Sequence, residues 1–266
     1  MLDLTFLATG YRQHVFTRTG ADDGWVYKVP VAFGRVLPFD FGRIETIRPR
    51  NPVHGVAHAL LIRCPRPLTA VRNRALIAHF SRKRLREFRA MLRLLERLAE
   101  RGADDVVLPY RSIPDANARL RVAGREYRYA GPVLAQKRAD VFRVRAESLR
   151  AYDPAELIEA QHRLWAHGFA IVETGEILGP RSWSVVDGRL KLADTSSLTA
   201  DRRLARQSLA PALLDERQAI VTRKLREAGS TFAIDEYCCT VRSEINEDTF
   251  DRLWGAALRR GRRAPR

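Results

Sequence analysis

Cysteine is scarce: three residues in 266, at positions 64, 238 and 239. The count is odd, adjacent Cys238 and Cys239 are poorly placed to bridge each other, and no pair has the spacing of a metal site. That argues against a disulfide framework and a Cys-based zinc centre, and a reduced, cytoplasmic protein is expected. The six histidines do not fill the gap. His54 and His58 have i, i+4 spacing, but Pro52 and Gly55 oppose a helix there and no third ligand is evident, so no zinc site is assigned. Long apolar runs are missing as well. The longest candidate, GVAHALLI, is interrupted by His58 and falls far short of the ~20 residues a membrane span needs. MLDLTFLATG has no basic region before its apolar residues, so no signal peptide is expected. Neither a Gly-x-Ser-x-Gly nucleophile elbow nor a Walker-type Gly-Lys-Ser/Thr loop occurs. Lysine is also rare, with five among 47 basic residues, leaving 42 arginines. A skew of that kind reflects a GC-rich genome more often than a nucleic-acid surface. The net charge of +16 still favours anionic ligands and speeds their encounter. Charge alone cannot choose among a nucleotide, a lipid and RNA.

What is present suffices for one sizeable core or two smaller lobes, since 45% of residues are hydrophobic. LTFLATG, QHVFTRTG and WVYKVP are strand-like, and the first two end at Gly. ADDG makes a turn before the third, so a three-strand meander is expected. Residues 31–69 are broken by Pro, Gly and Arg and read as an insertion. A helix is expected over roughly 72–101. Leu85, Phe88, Leu92, Leu95 and Ala99 supply its apolar face, and Gly102 stands at its C-cap. Strand-like VVLPYRSI, ARLRVAG and EYRYAGPVLAQ follow. Asp153, Pro154 and Glu156 open a second helix, which buries Leu157, Ile158, Leu164 and Trp165. WSVVDGRLKLAD is a hairpin turned at Asp187-Gly188. The remainder is helical and ends in a basic tail.

Within this order a few residues stand out chemically. Lys28 lies in the apolar run WVYKVP, where an ammonium needs either a partner or a route to solvent. Glu87 lies beside the apolar face of the first helix, within reach of Lys28 or of its own neighbouring arginines. Asp194 closes the hairpin, placed to hold a hard cation or to cap the turn in DTSSL.

Taken together, these features resemble the protein-kinase-like fold over most of the chain outside 31–69 and the tail. The resemblance implies an α+β, two-lobed architecture. A small antiparallel N-terminal β-lobe would span 1–136 with its insertion at 31–69. A mainly helical lobe would span 137–258, with a tail at 259–266. Lys28 corresponds to the strand-three lysine that contacts the α- and β-phosphates of ATP, and Glu87 to its helix glutamate. Gly10 in ATGYRQHVF is the single match to the glycine-rich loop. The backbone near Val133 and Leu134, through Gln136, would hold the adenine. In LWAHGFAIVE, Glu173 falls on the catalytic aspartate, with Ile171-Val172 in place of His-Arg, and Glu176 is an alternative carboxylate. Ser182 stands where a metal-binding asparagine is expected. Asp194 matches the Mg²⁺-binding aspartate, followed by Thr195-Ser196 instead of Phe-Gly.

The resemblance thus implies a divergent phosphotransferase that binds ATP and Mg²⁺ in a cleft between lobes. Its acceptor would be a small-molecule or sugar hydroxyl, as in aminoglycoside phosphotransferases and lipopolysaccharide-core kinases. The changed catalytic loop motivates an alternative, a pseudokinase that acts as a binding or regulatory scaffold for a protein or small-molecule partner. A basic nucleic-acid-binding protein ranks below both, because no recognition helix or aromatic platform is evident. Attraction to a membrane surface would be weak.

Overall fold

A computed structural model describes residues 1–9, 13–31, 69–139, 154–173, 177–178, 182–227 and 233–263. Gly10, Asp153, Glu176, nearly all of the 31–69 insertion and the last residues of the tail lie outside them. The described backbone is strand-rich first and helical afterwards. It divides into two compact units, residues 1–90 with 111–136, and residues 91–110 with 137–266. No helix among the described residues is long and apolar enough to cross a membrane.

The first unit begins with the expected meander: β1 (Leu2–Thr9), β2 (Gln13–Arg18) and β3 (Trp25–Pro30). Both pairings are antiparallel, with Phe6 opposite Phe16 and Phe16 opposite Tyr27. The helix α1 (Thr69–Glu100) follows, its residues from Met91 onward belonging to the second unit. The three strand-like segments after it are two long strands, β4 (Tyr110–Val122) and β5 (Arg125–Lys137). Pro114, which removes a donor, does not divide β4. It is exposed, and β1 pairs with β4 only from Ala118 to Arg121. Ala123 (φ 48°) and Gly124 (φ 76°) turn β4 into β5.

These strands close into a barrel in the order β1-β2-β3-β5-β4. The pair that closes it, β1 with β4, is parallel, so the sheet is not the wholly antiparallel one expected. The reason is arithmetic. Directions cannot alternate around a ring of five strands, and at least one neighbouring pair must run together. Inside, Leu4, Phe16, Val29, Leu120 and Val133 are completely buried. Phe6 meets the Phe16 ring edge-on at 5.7 Å. Tyr129 Oη donates to the Pro132 carbonyl at 2.7 Å. Gly131 (φ 154°) makes room for that bond, because a Cβ there would sit 2.9 Å from the Tyr129 oxygen.

α1 buries Phe88, Met91, Leu92, Leu95 and Leu98. Leu98 takes the place expected of Ala99, which is exposed. The chain end explains the change. Gly102 (φ 67°) adopts the left-handed C′ conformation, Ala103 N bonds to Leu98 O at 3.1 Å, and Gly102 N bonds to Ala99 O at 2.9 Å. In this Schellman closure the two residues joined by the longer-range bond, Leu98 and Ala103, are both completely buried.

In the second unit, α2 (Pro154–Ala166) ends by the same device. Gly168 has φ 79°, and Phe169 N and Gly168 N bond to Leu164 O and Trp165 O at 2.9 and 3.0 Å. The short strand β6 (Ala170–Ile171) follows, then the hairpin of β7 (Trp183–Val186) and β8 (Arg189–Leu192). Asp187 (φ 53°) and Gly188 (φ 70°) form its two-residue turn, as Asp-Gly predicts. After a 3-10 turn at Thr195–Ser197, β9 (Leu198–Thr199) pairs antiparallel with β6. Four helices complete the unit: α3 (Arg202–Gln207), α4 (Pro211–Glu227), α5 (Ile234–Glu244) and α6 (Glu247–Arg263). Trp165 on α2 meets Phe250 on α6 edge-on at 5.3 Å, and Phe250 in turn contacts Trp254 at 5.0 Å.

Candidate functional site

Strand alternation explains how Lys28 sits in an apolar run. Tyr27 and Val29 are buried, whereas Lys28 is half-buried on the opposite face of β3, across from Val15. The ammonium is therefore not forced into the barrel core. Glu87, on α1 in the same unit, is exposed and pairs with Arg84 Nη1 at 3.0 Å and Lys83 Nζ at 3.9 Å. Val133 and Leu134 on β5 are completely buried, so their side chains hold the strand in place between β3 and β4.

The second unit brings three further residues, Glu173, Ser182 and Asp194, onto neighbouring segments. Ala193 N and Asp194 N both donate to the Ser182 carbonyl, at 2.7 and 3.2 Å. This clasp joins the entry and exit of the β7–β8 hairpin. Ser182 forms it with φ 68°, a left-handed conformation costly for a residue bearing a Cβ. Asp194 is half-buried, and its Oδ1 accepts from Ser196 N at 3.0 Å, making it the N-cap of the 3-10 turn. Among the described residues its Oδ2 takes no hydrogen bond.

Glu173 is exposed, two residues beyond β6. The β6–β9 register pairs Ile171 with Leu198, and Val172 N extends it by donating to Ser197 O at 3.0 Å. Glu173 thereby comes next to the turn that Asp194 caps. Buried polar side chains fix this loop from below, and sequence reasoning missed them. Gln161 on α2, 1% exposed, donates Nε2 to the Ile177 carbonyl at 2.9 Å. Ser208 Oγ donates to Ala205 O at 2.6 Å and lies 3.4 Å from Ile171 O. Thr195, 1% exposed, turns its hydroxyl to Met91 Sδ at 3.4 Å. The available signal was a glutamine on the apolar side of α2, one turn from Leu157 and Leu164. A buried amide there needs a partner.

Arg101 adds a further brace. Its Nη1 donates to the His167 carbonyl at 2.9 Å, and the guanidinium lies 5.3 Å from the Phe169 ring centre. A cation at the last carbonyls of α2 is favoured by the helix dipole.

Chemically, the second unit offers one exposed and one half-buried carboxylate, on neighbouring segments pinned by backbone and buried amide contacts. No group of three His, Cys, Asp or Glu side chains suited to a metal occurs among the described residues. A single carboxylate shared with a ligand's own oxygens is compatible with this arrangement. The chain matches no family model, no curated protein and no solved structure.

Proposed function

We propose that the chain is a divergent kinase-like protein that binds ATP with Mg²⁺ and transfers phosphate to a small-molecule or sugar hydroxyl. The observation that carries the proposal is the hairpin clasp in the second unit. A strand pair ends in Asp194, whose backbone is tied to Ser182 and whose carboxylate keeps one oxygen uncommitted among the described residues. The element order supports it too: three strands, a helix and two strands, then a helix, a loop bearing Glu173, and the hairpin.

The residues fit the groups implied. Magnesium is usually held by one or two carboxylates together with substrate phosphates, and Asp194 supplies one such carboxylate. The nucleotide, when bound, brings the transferable phosphoryl group. Lys28 would offset phosphate charge, and the backbone at Val133 and Leu134 would hold the base. Glu173 would accept the acceptor hydroxyl's proton. Charge placement and positioning account for most of phosphoryl-transfer catalysis, so the pinned loop matters as much as the acids it carries.

A second reading, a pseudokinase scaffold, is favoured by the cap itself, because Asp194 Oδ1 already performs a structural task. One substitution separates the two. Asparagine caps a helical turn about as well as aspartate but carries no charge for Mg²⁺. We therefore expect Asp194→Asn to keep its melting temperature yet lose the Mg²⁺-dependent thermal shift produced by millimolar ATP. Lys28→Met should lose the ATP shift as well. A wild-type protein that shows no shift would overturn nucleotide binding. A shift without phosphate transfer to any hydroxyl acceptor would select the scaffold.

A further inference from the structure

Helix α1 carries a feature that none of the site residues uses. Arg82, Arg86, Arg89, Arg93 and Arg97 recur at steps of four, three, four and four, and all five are exposed. With 3.6 residues per turn they fall within about 80° of arc, and at 1.5 Å rise the ridge is about 22 Å long. The buried residues Phe88, Met91, Leu92, Leu95 and Leu98 occupy the far side of the helix. Among the described residues, Arg86, Arg89, Arg93 and Arg97 take part in no ion pair. The nearby Glu87 is engaged by Lys83 and Arg84, off the ridge. The other acids of α1, Glu96 and Glu100, lie at its C-terminal end. Base composition explains why arginine is abundant, but not why five line up on the solvent side of one helix.

Like charges at i, i+4 spacing, as at Arg89 and Arg93, destabilise a helix slightly, so the alignment has a cost that a polyanion would remove. The five are all arginine, whose planar fork bonds phosphate oxygens in pairs, unlike the compact lysine ammonium. The ridge is also a line rather than a plane. A helix that lies in a membrane interface inserts its apolar face, and here that face is packed inside the protein. We infer that the ridge binds the sugar–phosphate backbone of a nucleic acid strand, without reading bases. This inference does not depend on the phosphotransferase reading. It raises nucleic acid above the rank it takes when no recognition helix or aromatic platform is evident.

The test is fluorescence anisotropy of the full chain with labelled mixed-sequence oligonucleotides, single-stranded and duplex, across a salt series. The ridge variant is R86Q/R89Q/R93Q. The control is R125Q/R128Q/R189Q, three exposed arginines elsewhere with the same charge change. Each lost phosphate contact lowers the slope of log affinity against log salt by about 0.7 for single strands and 0.9 for duplex. The ridge variant should therefore lose about 2 to 3 in slope, and about 50-fold or more in affinity near 0.15 M salt. The control should retain most of both, and R86K/R89K/R93K should retain most of the slope. Glutamine and lysine are close to arginine in helix propensity, and circular dichroism would verify that the helix is kept. Equal losses in the ridge and control variants would mean diffuse charge and overturn the proposal. So would a wild-type chain that ignores oligonucleotides, including one that instead sediments with phosphatidylserine vesicles in a ridge-dependent way.

Discussion

The barrel and the helical unit solve the same problem, holding chain segments in register, by different means. In the barrel, backbone ladders run around a closed ring and the interior is apolar apart from the completely buried His14. Its polar side chains, such as Arg119 and Arg121 with Asp3 and Glu126, pair on the outside. In the second unit, short strands of two and four residues cannot fix a loop alone. Side chains do it instead: Gln161 to Ile177 O, Arg101 to His167 O, Lys191 to Asp105 O, and Arg163 to the Asp105 carboxylate at 2.7 Å. A ladder tolerates the loss of any one surface side chain. A loop held by single side chains does not, and Glu173 is carried by such a loop.

The difference predicts which substitutions each unit feels most. In the barrel the sensitive positions are apolar. Leu120 is completely buried, and Leu120→Ala should cost about 2–5 kcal/mol through lost transfer energy and the cavity left behind. Urea denaturation checks this, and a cost under about 1 kcal/mol would show that the barrel collapses around the gap. In the second unit a polar-to-apolar change of similar volume should also hurt. Gln161→Leu leaves the Ile177 carbonyl without its buried donor, at about 1–3 kcal/mol. The sharper readout is hydrogen exchange at Ile177 N, whose bond to Glu173 O at 3.1 Å lies in the same loop. Faster exchange there, with barrel amides unchanged, is the expected pattern. Unchanged exchange at Ile177 would mean the loop does not depend on the glutamine.

The same contrast decides what the sequence could reveal. Periodicity and turn chemistry are local. The meander, α1, α2 and the Asp187-Gly188 hairpin are therefore legible, and Gly102 ends α1 as its position suggests. Two features of the barrel were not legible. Whether five strands close, and hence whether one pair must be parallel, depends on contacts between Leu2–Thr5 and Ala118–Arg121, more than a hundred residues apart. Pro114 also looks like a break unless its exposure is known. In the candidate site the acids could be picked out by type and position, but their supports could not. Nothing local marks Ser182 as left-handed or Gln161 as the donor to a carbonyl 16 residues on.

Ser182 gives a smaller effect of the opposite sign. At φ 68° it accepts both hairpin amides through its carbonyl, a role that needs the backbone conformation and not the side chain. Glycine reaches that conformation without steric cost. Ser182→Gly should therefore keep the clasp and raise stability by about 0.5–1 kcal/mol, offset in part by the greater freedom of the unfolded chain. If the melting temperature falls instead, the buried hydroxyl contributes more than the strain removes. The Ser182 side chain would then be part of the site's support.

The smallest expected effect lies at the rim of the second unit, where charges and not buried amides join α3 to α6. Arg202 Nη2 and Arg206 Nε reach Asp251 at 2.8 and 3.1 Å, and Arg206 Nη2 reaches Glu247 at 2.6 Å. Partial burial pushes the Asp251 carboxyl up, but the hydrogen bonds and charges of Arg206 and Arg202 together outweigh it, and the group titrates below its ordinary 3.8. A depressed carboxyl stabilises the fold while it is ionised in both states, above about pH 4. That contribution fades as pH falls through the lower folded value. The side chains are 35–51% exposed, so solvent screens the pair and only a small gain is expected. Melting temperatures of wild type and Asp251→Asn should differ slightly at pH 6 and converge as the pH falls through the lowered folded value, with the gap also shrinking in high salt. A gap that persists in acid would mean the asparagine disturbs packing between α3 and α6. The rim would then behave like the buried amides, and the units would differ less than their bonding suggests.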